Sequence, residues 1–72
     1  MIYKNIKLLR LERALRQKEL ADYLEVAQNT YSQYETGRLP LTAEILTKLA
    51  DYYGTSVDFL LGRTSKTEPY DI

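Results

Sequence analysis

Gln28, Asn29, Ser32 and Gln33 set three amides and a hydroxyl within six residues, and no formal charge interrupts them. An amide presents a donor and an acceptor together, so it can pair bidentately with adenine N6 and N7, and less selectively with other base edges. Thr30 lies among them and, with Ser32, offers a hydroxyl for backbone or secondary contacts. The competing assignment is a set of polar residues on a solvated helix face.

Such a row can address bases only if a helix carries it and a second helix holds it at an angle. The stretch QKELADYLEVAQNTYSQYETG, Gln17 to Gly37, has that form: two short helical patterns meet at a break of about three residues. Leu20, Ala21 and Leu24 fall at i, i+1 and i+4 on one helix face. Val26 follows the turn, and Tyr31 and Tyr34 stand three apart on the second helix. This is the sequence form of a helix-turn-helix over about residues 17–36, whose second helix is built to lie in the DNA major groove. Ala21 suits a steep crossing, because little more than a methyl group fits between two backbones brought so close.

The remaining patterns complete five helices. The first is expected from Tyr3 to Arg13, with Ile2, Ile6, Leu8 and Leu9 facing inward. A fourth starts after Thr42, whose hydroxyl can accept from a free amide, and runs to Tyr53 with Leu46, Leu49, Ala50 and Tyr53 on one stripe. Gly54 suits its left-handed cap. The last helix is short, Val57 to Leu61, opened by Ser56 or Thr55 and stopped by Gly62. Residues 1–62 therefore form one all-α domain, and residues 63–72, RTSKTEPYDI, are expected to be a polar, flexible C-terminal tail.

Composition narrows the function. The chain has 72 residues and 44% hydrophobic content, and a domain this small buries only about 60% of its unfolded surface, so nearly every apolar helical position must serve the core. Cys and His are both absent, which removes disulfides, thiol nucleophiles, the usual zinc sites and imidazole catalysis. An enzyme is not expected, and no cofactor, metal or small-molecule effector is evident. MIYKNIKLLRLER alternates charge with apolar residues, so no signal peptide or membrane anchor is expected and the location is taken as cytoplasmic, on the nucleoid when DNA is bound. The formal net charge is zero, against the basic balance usual for nucleic-acid binders. Residues 1–38 nonetheless hold seven basic against five acidic side chains, and this is the half that carries the amide row.

Ile6, Leu9, Arg10, Gln17, Leu20, Ala21, Leu24 and Val26, then Tyr34, Glu35 and Gly37, and KLADYYGTSVDFLLG from Lys48 to Gly62 resemble the phage-repressor and Cro type of helix-turn-helix domain, the xenobiotic-response-element class of bacterial and phage regulators. The resemblance covers Ile6 to Leu61 and implies a compact five-helix, lambda-repressor-like fold. It also implies sequence-specific binding of double-stranded DNA, with repression by a dimer on a palindromic operator. Within it, Gln28, Asn29 and Gln33 are the expected base contacts. Gln17 is expected to bond a phosphate while touching the reading helix, and Arg38 to grip another; Arg16 and Lys18 are weaker candidates. Arg10 and Glu35 are expected to form a partly buried ion pair, the alternative being two solvated charges. Phe59, where the family more often has a polar residue, and Leu61 are expected to stay partly exposed beside an inward Leu60 and to form a dimer surface.

Four positions depart from the family pattern. Ala14 and Glu25 stand where glycine is usual, and Arg16 and Ala27 where threonine and serine cap helices. Each is expected to cost on the order of 1 kcal/mol. A different class of function also fits: a protein-interaction module or antitoxin-type adaptor on the same fold, favoured by the neutral charge and by Phe59.

Overall fold

A computed structural model describes residues 3–67. Among these residues the chain forms α1 (Lys4–Glu12), α2 (Gln17–Leu24), α3 (Gln28–Thr36), α4 (Ala43–Tyr53) and α5 (Val57–Leu60), with no strand. Side-chain caps open two of them: Thr42 Oγ1 accepts from the Ile45 amide at 3.2 Å, and Ser56 Oγ accepts from the Phe59 amide at 3.0 Å. Arginine cannot accept in this way, so at α2 Glu19 supplies the reciprocal bond, its Oε2 accepting from the Arg16 amide at 3.0 Å. Ala27 gives α3 no side-chain cap at all.

Every helix ends alike. A residue of positive φ follows it, Ala14, Glu25, Gly37, Gly54 or Gly62 in turn. The next amide then reaches back five residues: Leu15 to Arg10 O, Val26 to Ala21 O, Arg38 to Gln33 O, Thr55 to Ala50 O and Arg63 to Asp58 O, all within 2.8–3.0 Å. The chain's three glycines stand at three of these ends. Ala14 (φ 54°) and Glu25 (φ 60°) hold the same conformation against their Cβ, at about 1 kcal/mol each.

With the ends fixed, the apolar stripes meet. α2 packs on α3, α4 on α5, and α1 lies against both α3 and α5. Ile6, Leu20, Tyr31, Leu49 and Leu60 are the largest wholly buried side chains, joined by Leu9, Ala21, Leu24, Leu46, Ala50 and Tyr53. Burial of each large aliphatic residue contributes about 1.5–3 kcal/mol. Ala21 is 1% exposed at the α2–α3 crossing, where a larger side chain would push the helices apart.

One inward residue was misassigned by the sequence. Leu8 is 50% exposed, because Ile6, Leu9 and Arg10 occupy the inner face of α1 and a residue two places after Ile6 is turned to the opposite side. Residues 63–67 form no helix. The expectations for Ile2 and for residues 68–72 of the tail lie outside the described residues.

Candidate nucleic-acid interface

The two faces of α3 divide its chemistry. Tyr31 and Glu35 are buried on the inner face. Asn29, Ser32, Gln33 and Thr36 follow the i, i+3, i+4, i+7 spacing of one stripe and, with Arg38, line a single shallow concavity. Gln33 Nε2 donates to Asn29 Oδ1 at 3.3 Å, linking two successive turns. Gln28 is exposed in the first turn, outside that lining, and Thr30 is half-buried on the other flank. Thr36 was missed from the sequence, although its place seven residues after Asn29 marks it as the stripe's fourth member.

The inner face fixes the angle of α3 through one carboxylate. Glu35 Oε2 accepts from Arg10 Nε and from the Tyr31 hydroxyl, each at 2.6 Å, and Oε1 accepts from Arg10 Nη2 at 3.1 Å and Gln17 Nε2 at 3.2 Å. Arg10 Nη1 also donates to Leu15 O at 3.0 Å. Arg10 and Glu35 thus form a buried, bidentate ion pair, and α1, the α1–α2 turn, the start of α2 and α3 all converge on it. Burial pushes the Glu35 carboxyl up, but the hydrogen bonds from Arg10, Tyr31 and Gln17 outweigh it and hold the group below its ordinary value. Burial, followed by the bond to Glu35, raises the Tyr31 hydroxyl.

The residues expected at phosphates are spread around this frame. Gln17 is half-buried, with its amide nitrogen turned to Glu35. Arg16 is exposed at the N-terminus of α2, where free amides favour an anion. Lys18 is exposed but paired with Asp22 at 3.1 Å. Arg38 is exposed immediately after α3, on the edge of the concavity.

On α5, Phe59 and Leu61 are half-buried and pack against the core. The most exposed large apolar side chains lie elsewhere: Leu8 and Leu11, at 50% and 54%, line an apolar groove with Lys4, Lys7 and the edge of Glu35. Among the described residues no acidic cluster could hold a metal ion, and no helix is long and apolar enough to cross a membrane.

The family profile described as helix-turn-helix matches residues 6–60. Among curated proteins, the chain is 34% identical over 64 residues to the SPbeta prophage-derived uncharacterized HTH-type transcriptional regulator YonR of Bacillus subtilis (strain 168), covering 89% of this chain and 59% of the relative. It is 40% identical over 57 residues to the cryptic phage CTXphi transcriptional repressor RstR of Vibrio cholerae, covering 79% and 51%. A third relative, the HTH-type transcriptional regulator AnsR of Bacillus subtilis (strain 168), is 42% identical over 48 residues, covering 67% and 41%. The chain spans about half the length of these relatives. With the profile running from α1 to the end of α5, the chain belongs to the helix-turn-helix family, of the repressor and Cro type.

Proposed function

We propose that this chain is a transcription regulator that binds double-stranded DNA by sequence, acting as a repressor when it occupies an operator. The observation that carries this reading is the division of α3: a buried carboxylate with four donors anchors one face, while an uncharged row of amides and hydroxyls occupies the other. Anchoring fixes the helix axis, and the free face then meets base edges in the major groove. Gln28, Asn29 and Gln33 are the base contacts; Ser32 and Thr30 are secondary. Arg16, Gln17 and Arg38 take phosphates, and Lys18 joins them on releasing Asp22. The kinship with regulators, one named a transcriptional repressor, supports the same reading. Two copies joined through Phe59 and Leu61 would present two α3 helices about 34 Å apart to half-sites one turn apart. Such a regulator works in the cytoplasm.

Selection of bound duplexes from a random pool, with the unmodified chain beside a Gln28→Ala, Gln33→Ala double variant, tests the proposal. A palindromic motif blurred by the variant is the expected result. If the unmodified chain enriches no sequence at about 50–100 mM salt, where phosphate contacts remain strong, the DNA reading is wrong. The exposed Leu8 and Leu11 then favour the second reading, a protein-interaction module.

A further inference from the structure

The geometry points to Asn29 and Gln33 acting as one reading unit, in which Gln33 sets the direction of the Asn29 amide and thereby the kind of base edge that Asn29 accepts. The inference rests on the proposed DNA reading and adds to it a specificity at one base pair.

The hydrogen bond from Gln33 Nε2 to Asn29 Oδ1 determines which way the asparagine faces. Asn29 precedes Gln33 by one turn, so its Oδ1 is drawn toward the C-terminal end of α3. Its Nδ2, on the opposite edge of the planar amide, is turned away from Gln33. Along the helix the row runs donor, acceptor, donor, acceptor: Asn29 Nδ2, Asn29 Oδ1, Gln33 Nε2, Gln33 Oε1. An unpaired asparagine can rotate by half a turn and offer either edge. Paired as here, with Oδ1 taken by Gln33 Nε2, it offers its two Nδ2 hydrogens.

Those hydrogens seek acceptors, and guanine offers two in the major groove, O6 and N7. The base facing Asn29 is therefore guanine in preference to cytosine, whose N4 is a donor. In water an exposed amide pair at i, i+4 is weak. Once α3 enters a groove, water leaves and the same bond strengthens in the lower dielectric. The pairing is thus felt most in the bound state, where it decides between sequences.

The test is selection from a random duplex pool, followed by competition binding, with the unmodified chain, Asn29→Ala, Gln33→Ala, the double alanine variant and Gln33→Glu. Both side chains lie on the outward stripe, and thermal unfolding verifies that each variant stays folded. Gln33→Ala is expected to blur two positions of the motif, its own and that of Asn29. The double variant is expected to lose about as much affinity as the worse single variant, about tenfold, rather than the product of the two losses. Gln33→Glu is the sharper case. A carboxylate at that place can only accept, so it draws Asn29 Nδ2 toward itself, turns Oδ1 outward, and should change guanine to cytosine on the same strand at the position of Asn29.

If the unmodified chain selects a motif but Gln33→Ala blurs one position alone, or the alanine losses multiply, or Gln33→Glu leaves guanine in place, the pairing is overturned and the DNA reading stands. A chain that selects no motif overturns both.

Discussion

Glu35→Ala is the substitution whose cost can be worked most fully. The wild-type carboxylate is 2% exposed and its Arg10 partner 11% exposed. Its removal leaves the guanidinium with Leu15 O as its remaining acceptor. A buried charge stranded in this way costs about 3–5 kcal/mol. Tyr31 is wholly buried and its hydroxyl donates to the same carboxylate, so its loss adds about 1–3 kcal/mol. Against these, typical stability is about 0.05–0.15 kcal/mol per residue, or about 4–11 kcal/mol for this chain. Glu35→Ala should therefore leave the domain at the edge of folding. Glu35→Gln, which keeps an acceptor but exchanges charge-assisted bonds for neutral ones, should lose about half as much. Arg10→Met combined with Glu35→Leu should recover most of the stability, because no unpaired charge remains and the residual cost comes from the donors of Tyr31 and Gln17. Urea unfolding followed by circular dichroism measures the series, with a shifted midpoint at constant slope. A loss below about 1 kcal/mol for Glu35→Ala, the range of a solvated surface pair, would refute the buried-network argument.

Acid should unfold the protein through the same site. Glu35 is held below its ordinary value of 4.5, so its contribution is fully present above about that pH and is lost as the pH falls through its lower folded value. Urea midpoints measured downward from pH 7 should decline there, and decline less steeply in the Arg10→Met, Glu35→Leu variant. Tyr31 titrates above its ordinary 10.0, so its contribution is present below about pH 10 and lost as the pH rises beyond; a midpoint that stays level well above pH 10 would count against its buried bond. Glu25→Gly should raise stability by about 1 kcal/mol, since the Glu25 backbone already sits at φ 60° and its side chain is exposed. Thermal unfolding reads this as a gain of about 4–8 °C. Under the proposed DNA reading, Arg38→Ala should weaken all sequences alike and reduce the slope of log affinity against log salt by about 1; a change in the selected motif would instead make Arg38 a base contact.

The sequence was most legible where a single rule acts. Leu46, Leu49, Ala50 and Tyr53 follow the helical period without interruption, and Thr42 and Gly54 bound them, so α4 could be drawn to the residue. On α1 the period alone was ambiguous. Leu8, Leu9 and Leu11 are equally apolar, and the face is settled by Arg10, a charged residue that is buried because Glu35 waits on α3. No local pattern announces a partner 25 positions away; the resemblance suggested it and the geometry supplied its four donors. Gln17 shows the same limit. Its place at the start of α2 was readable, but the turn of its amide toward Glu35 depends on how α2 crosses α3. The amide row was visible as composition, whereas its outward stripe, with Thr36 in it and Gln28 outside it, required the rotation of α3 about its axis.

That rotation also bears on how a chain of zero net charge could act on DNA. Of its ten basic residues, Arg10 is held by Glu35, Arg13 donates to Tyr53 O at 2.8 Å, and Lys18 and Lys48 pair with Asp22 and Glu44. Arg16 and Arg38 carry no ion pair among the described residues and stand at the two ends of the helix-turn-helix. With no net positive charge on the chain, phosphate attraction in the proposed complex is modest. It is also independent of sequence, so a weaker phosphate grip lowers affinity for operator and for random DNA by the same factor and cancels from their ratio. Discrimination then depends on what differs between sites, the bonds between base edges and an uncharged face. A neutral domain gives up absolute affinity, which a second copy can restore, and keeps the ratio that an operator reader needs.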